Sequence, residues 1–259
     1  MRKILAFICI LALVSAVFAG CGGVPKVEIN SLDDLEGKTI GVQLGTTGDI
    51  FAEDVEGATI ERFNKGPDAV LALRQGKIDA VIIDDQPAKV FVSQNDDIMI
   101  LEQPFEIESY AICISKENPG LTADFNRAIA ELKAEGTLQA ILDYWIGGLE
   151  GSAPYQSPSG VVRDKGTLIM ATNAEFPPYE FIEGNQVIGI DPDFARAICD
   201  KLGYDLRIDD MEFASIITAV QSGRADFGAA GMTVTEERLE NIDFTDSYIT
   251  ATQVVIIRK

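Results

Sequence analysis

One pattern occurs twice in this chain and limits its fold more than any other feature. Arg74-Gln75-Gly76-Lys77-Ile78-Asp79-Ala80 and Val220-Gln221-Ser222-Gly223-Arg224-Ala225-Asp226 share one form: the end of a helix, a tight turn, an aspartate, then a strand. Two copies do not make a solenoid. They indicate two similar α/β lobes.

The flanking segments alternate accordingly. In the first block, residues 35–44 read as a strand, 67–75 as a helix, 78–83 as a buried β-branched strand and 87–93 as a helix; 98–101 and 110–115 are short strands. Helices are expected over 122–134 and 138–145, broken at Gly136. The second block offers strands at 168–172, 206–209, 227–230 and 253–257, and helices at 191–202, 214–222 and 236–240. Between the blocks, residues 149–164 carry Gly, Ser and Pro without periodicity and read as a surface linker.

The start of the chain reads as a targeting segment. Arg2 and Lys3 precede an apolar run over 4–19, about 16 residues and short of a membrane span. Phe18-Ala19-Gly20-Cys21 resembles a bacterial lipobox, which implies a signal peptide over 1–20, lipid on Cys21 and a tether over 21–26. The expected location is the cell envelope, on the outer side of the cytoplasmic membrane or in the periplasm. Cys113 and Cys199 then remain as buried thiols or as a disulfide.

Composition narrows the chemistry. The formal net charge is −20, which repels phosphate backbones and argues against a nucleic-acid partner. There is no histidine, so Ser-His and Cys-His catalysis and the commonest zinc ligand are missing. Asp191 and Asp193 are explained by a helix N-terminus without a metal. No cofactor and no metal are expected.

Four stretches carry a family pattern. They are Ala171-Thr-Asn-Ala-Glu-Phe-Pro-Pro-Tyr-Glu-Phe181, Gly189-Ile-Asp-Pro-Asp-Phe194, Gly231-Met-Thr-Val-Thr-Glu-Glu-Arg238 with Ile242-Asp-Phe-Thr245, and Gly41-Val-Gln-Leu-Gly-Thr-Thr-Gly48. Together they resemble the periplasmic amino-acid-binding proteins of ABC uptake transporters, solute-binding family 3, of the glutamine-, histidine- and arginine-receptor type. The resemblance implies an α/β, two-lobed periplasmic-binding-protein-like fold (type II) with two hinge strands. It implies a monomeric receptor, not an enzyme, that captures a polar or basic L-amino acid for an ABC-type permease. The alternatives are a ligand-sensing partner of a signalling receptor and a dehydratase-like enzyme acting on arogenate or prephenate. Glu175 is the acid that the enzymatic reading would use.

The order of the motifs departs from the family and looks circularly permuted. The stretch over 136–145 resembles the family's closing helix but sits mid-chain. Lobe 1 would be 111–148 with 165–247, and lobe 2 would be 27–105 with 253–259. Hinge strands fall at 106–110 and 248–252, and 149–164 would join the usual termini. A flexible chain of that length reaches roughly 20–25 Å. The lipid tether would leave from lobe 2.

Ligand chemistry agrees with the resemblance. A carboxylate wants a guanidinium and backbone N–H groups. Arg238 resembles the family's carboxylate arginine, with Gly231 and Thr233 offering an N–H and a hydroxyl, and Thr46 and Thr47 donating from the other lobe. Asp84 resembles the ammonium aspartate, with Asp85 as the competing assignment, and Ala230 supplies a carbonyl. Phe176 and Phe213 resemble the aromatic pair that sandwiches the ligand, while Asn173 and Gln43 stand near the slot end. Glutamine receptors usually carry Asp and Lys at those last two positions, so glutamine is not indicated.

Overall fold

A computed structural model describes residues 27–259. The signal peptide, Cys21 and the tether expected over 1–26 lie outside the described residues.

The chain enters through a 3-10 turn, Leu32–Leu35, and lays down β1 (Thr39–Gln43), α1 (Thr47–Ala52), β2 (Thr59–Phe63), α2 (Gly66–Arg74), β3 (Ala80–Asp84), α3 (Asp85–Ser93), β4 (Ile98–Ile100) and β5 (Glu106–Tyr110). Next come β6 (Cys113–Ile114), α4 (Pro119–Ala134) and α5 (Thr137–Trp145). The second half runs β7 (Thr167–Thr172), β8 (Glu175–Phe176), β9 (Glu180–Glu183), β10 (Gln186–Ile188), α6 (Ile190–Leu202), β11 (Asp205–Asp210), α7 (Ile216–Gln221), β12 (Phe227–Gly228), α8 (Glu236–Asn241), β13 (Asp243–Phe244) and β14 (Ile249–Arg258).

Two sheets define two lobes. One has the order β2-β1-β3-β14-β4, with β5 also paired to β14. The other runs β11-β7-β12-β6-β13. The doubled motif has one job in both. Gly76 and Gly223 turn with φ of 69° and 71°, a region that L side chains resist. The aspartate that follows accepts from a strand N–H through its carboxylate and donates to that residue's carbonyl through its own N–H. Asp79 does this to Thr39 (3.0 and 2.8 Å) and Asp226 to Ile169 (2.7 and 2.8 Å). Each motif thus ties an α/β crossover to the neighbouring parallel strand.

β14 belongs to both ends of one sheet. Gln253–Ile257 pairs with β3, while Ile249–Gln253 pairs antiparallel with β5, Ile249 opposite Tyr110 and Gln253 opposite Glu106. The strand expected over 253–257 is therefore longer, because its first half passes between the sheets. The strand expected over 110–115 is split: Ala111 donates its N–H to the Met232 carbonyl instead of joining a ladder.

The 149–164 segment has no helix or strand but is not loose. Asp193 Oδ2 accepts from Trp145 Nε1 (2.9 Å) and from the Tyr155 N–H (3.0 Å). Asp200 accepts from the Tyr155 hydroxyl (3.1 Å) and from Arg163 Nε (2.7 Å). The flexible-chain expectation is corrected: two carboxylates on α6 pin the segment to the surface. The same bonds correct the reading of Asp193 as a helix-terminus charge alone. Cys113 and Cys199 are both free and buried.

Candidate functional site

The facing ends of the two sheets enclose a narrow cavity. Its walls contain Gln43, Thr46, Thr47, Asp84, Asn173 and Phe176, and also Phe213, Ala230, Gly231, Thr233 and Arg238. All eleven residues nominated from the sequence as ligand contacts thus line one space between the lobes. A twelfth residue, Glu180, was not nominated and lines it too.

Arg238 lies in the first turn of α8, after the cap in which the Thr235 hydroxyl accepts from the Arg238 N–H. The residue is 7% exposed, yet no carboxylate lies within ion-pair distance of its guanidinium among the described residues. Nη1 donates to the Thr233 carbonyl (2.6 Å) and Nη2 crosses the cleft to the Gly45 carbonyl (2.9 Å). The group also sits 5.5 Å from the centre of the Phe213 ring, a cation–π distance. Burial pulls its pKa below the ordinary arginine value, with Glu108 opposing. A buried cation held by two carbonyls retains donors and charge for an anion.

Asp84 faces it from the other lobe, at the C-terminal end of β3, where ligand sites of α/β sheets lie. Burial and then the adjacent Glu108 carboxyl push its pKa well above the carboxylate range. The Tyr110 hydroxyl donates to it. Asp85, the competing assignment, is instead paired with Lys89 on the surface of α3 (2.5 Å).

Four nominated donors are already engaged. The Gly231 N–H is given to Asp191 Oδ2 (2.8 Å), so the expectation that it faces the ligand is corrected. Asp191, which also accepts from the Tyr248 hydroxyl (2.7 Å), is a buried anchor of that turn and not merely a helix-end charge. The Thr233 and Thr47 hydroxyls both donate to Glu108 Oε2, at 2.7 and 2.6 Å. Thr46 caps α1: its hydroxyl donates to the Gln43 carbonyl (2.8 Å) and accepts from the Asp49 N–H (3.3 Å).

The aromatic walls are in place. Phe176 stacks on Tyr179 (centroids 5.4 Å, 23°) and does not pair with Phe213 among the described residues. At the slot end Gln43 Nε2 donates to Asn64 O (3.1 Å) and Asn173 Oδ1 (2.8 Å), while Asn173 Nδ2 donates to Met211 O (2.9 Å). The bonds of Gln43 to Asn173 and of Arg238 to Gly45 join the lobes, as does the Lys65–Glu175 ion pair (2.6 Å). The structure is therefore closed. Glu175, the acid an enzymatic reading would use, is held by that lysine.

Sequence reasoning missed Glu108 and Glu180. Glu180 is 1% exposed and its Oε2 has no hydrogen-bond partner. Burial, then Asp191, raises its pKa well above the ordinary value.

The profile of bacterial extracellular solute-binding proteins, family 3, matches residues 69–148 and 168–259, more than half of the chain. The chain belongs to this family. Among curated relatives, it is 41% identical over 103 residues to the arginine-binding extracellular protein ArtP of Bacillus subtilis (40% of each chain). It is 34% identical over 121 residues to the L-cystine-binding protein TcyJ of Escherichia coli K12 (46% of each). It thus spans less than half the length of these relatives. A solved ancestral arginine-binding protein bound to arginine is 45% identical over 33% of this chain and 38% of that one, with a TM-score of 0.32. The family and these relatives are solute-binding proteins, not enzymes. No helix among the described residues is long and apolar enough to cross a membrane.

Proposed function

We propose that this chain is an envelope receptor that closes its two lobes around one L-amino acid with a polar or basic side chain, for delivery to an ABC-type permease. The observation that carries this reading is the pair of opposite anchors in one cavity: Arg238 from one lobe and Asp84 from the other. An α-carboxylate fits the guanidinium and an α-ammonium fits the aspartate, at about 1.5–3 kcal/mol for each charge-assisted bond. The side chain then lies between Phe176 and Phe213 toward Gln43 and Asn173. Among the described residues nothing bonds to Gln43 Oε1, so the slot end offers an acceptor to a donor-bearing side chain. The arginine-binding relative supports that class.

Closure would turn about β5 and β14, the paired strands that pass between the sheets. The interlobe bonds Gln43–Asn173, Arg238–Gly45 and Lys65–Glu175 would form only on closing, which is how ligand shifts the population. In the circular order, 149–164 would join the family's usual termini. Lipid on Cys21 would then hold the chain by lobe 2. Glu175 paired to Lys65 supports binding without catalysis.

A thermal-shift panel of the twenty amino acids tests the reading. A ligand at 100 times its Kd stabilises by about 2.7 kcal/mol. A rise with basic or polar amino acids, lost in Asp84→Ala, is expected. A flat panel on ligand-free protein would overturn it.

A further inference from the structure

Of the cross-cleft bonds Gln43–Asn173, Arg238–Gly45 and Lys65–Glu175, only the last joins two charged side chains. Lys65 Nζ, from the cap of α2, meets Glu175 Oε1, from β8, at 2.6 Å. Neither residue lines the cavity. Their side chains are 43% and 28% exposed, so the pair stands at the rim of the cleft, within reach of water.

The pair is built on the same backbone as the slot end. In lobe 2, Gln43 Nε2 donates to the Asn64 carbonyl (3.1 Å), and Lys65 is the next residue. In lobe 1, Asn173 accepts from Gln43 through Oδ1 (2.8 Å) and from the Glu175 N–H through its carbonyl (2.8 Å). Ala174, between them, gives its N–H to Asp210 Oδ1 (2.8 Å). Each side of the cleft thus carries a slot-end amide and a rim charge on one short, hydrogen-bonded stretch. The two stretches meet or part together.

Side-chain length decides which. A ligand that ends before the two amides leaves the Gln43–Asn173 bond whole and the rim pair made. A ligand atom placed between the amides needs about 2.9 Å to each, which roughly doubles the gap and draws Lys65 from Glu175.

We propose that Lys65 and Glu175 form a rim latch that holds the lobes shut on amino acids whose side chains stop at the slot end, and that fails on longer ones. This rests on the receptor reading above. Both are positioning residues: they touch no ligand and act through the closed population. Selection by length is then a difference in release. Because the pair is partly exposed, its effect is modest, about a two- to fivefold slower release.

Stopped-flow fluorescence of the ligand-free full chain with L-ornithine, L-lysine, L-arginine and L-homoarginine, at about 20 and 200 mM salt, tests this. Lys65→Met and Glu175→Gln change the local charge in opposite senses. A long-range field acting on a cationic ligand would therefore move the two variants in opposite directions. Loss of a latch moves both the same way. Release is expected to quicken about two- to fivefold in each variant for the ligands that fit, with no further gain in the double variant. Lys65→Arg restores the wild-type rate, and salt speeds release less in the variants than in the wild type. The ratio of variant to wild-type rates shrinks toward one along the series to L-homoarginine. Unchanged release in both variants, or shifts of opposite sign, would overturn the latch and leave the receptor standing. One equal factor for all four ligands would overturn the selection by length. No binding of these four, nor of L-glutamine, L-histidine or L-cystine, would overturn the receptor reading itself.

Discussion

The side-chain amide of Gln43 donates a 2.8 Å hydrogen bond to Oδ1 of Asn173, 130 residues away and in the other lobe. Both side chains are neutral, so this closure contact carries no net charge. Asn173→Asp would place a carboxylate at the slot end. Affinity for arginine or lysine is expected to rise relative to glutamine by about fivefold, the difference between a charged and a neutral hydrogen bond of about 1 kcal/mol. Competition titrations read the ratio, and an unchanged ratio would move the side-chain slot elsewhere.

Gly231 has φ of 53°, and a Cβ there would sit 2.9 Å from Phe176 Cε1. Gly231→Ala therefore combines left-handed backbone strain with displacement of the aromatic wall, a cost of roughly 1–3 kcal/mol. Thermal unfolding is expected to drop by several degrees and ligand affinity to fall together with it.

Glu180 destabilises the fold at neutral pH. Its pKa is raised by burial and by Asp191, so the native state holds a proton that the unfolded chain gives up near its ordinary value of 4.5. Stability contributed by the protonated form is complete below that value and declines as pH rises above it. Glu180→Gln removes the titration. The Tm gain of the variant over the wild type is expected to widen between about pH 5 and 8, measured by calorimetry.

Cys113 and Cys199 are buried, and burial pushes both thiols up to about 12. At pH 8 only about one in ten thousand would be thiolate even if solvent reached it. Neither should react with a disulfide reagent in the native protein, and both should react in guanidinium. Rapid native labelling at either position, located by peptide mass, would contradict that burial.

Much of the fold was legible because its signals are local. Asp79 and Asp226 follow glycine turns and bond the adjacent parallel strand, so the motif and its structural job coincide. The edge strand Thr59–Phe63 went unread because it buries no residue fully. The cavity-lining positions were reached through short motifs on strand ends and caps. Their hydrogen-bond partners were not, because these are distant in the chain: Glu108 meets Thr47 and Thr233 from 61 and 125 residues away. On β5 the usual alternation is inverted. Ile107 is 68% exposed and Glu108 is buried, so apolar patterning points the wrong face inward. Glu180 lies in a stretch with no apolar periodicity, and only the pairing of the hairpin β8–β9 turns its carboxyl inward.

Arg238 is the most direct test of the whole account, because a buried guanidinium without a carboxylate costs stability unless a ligand needs it. Arg238→Met keeps the stem and removes the charge. Calorimetric titration with L-arginine should give one site in the wild type and no heat in Arg238→Met, while the unliganded variant unfolds at the same temperature or higher. Equal affinity in the two proteins would contradict the account.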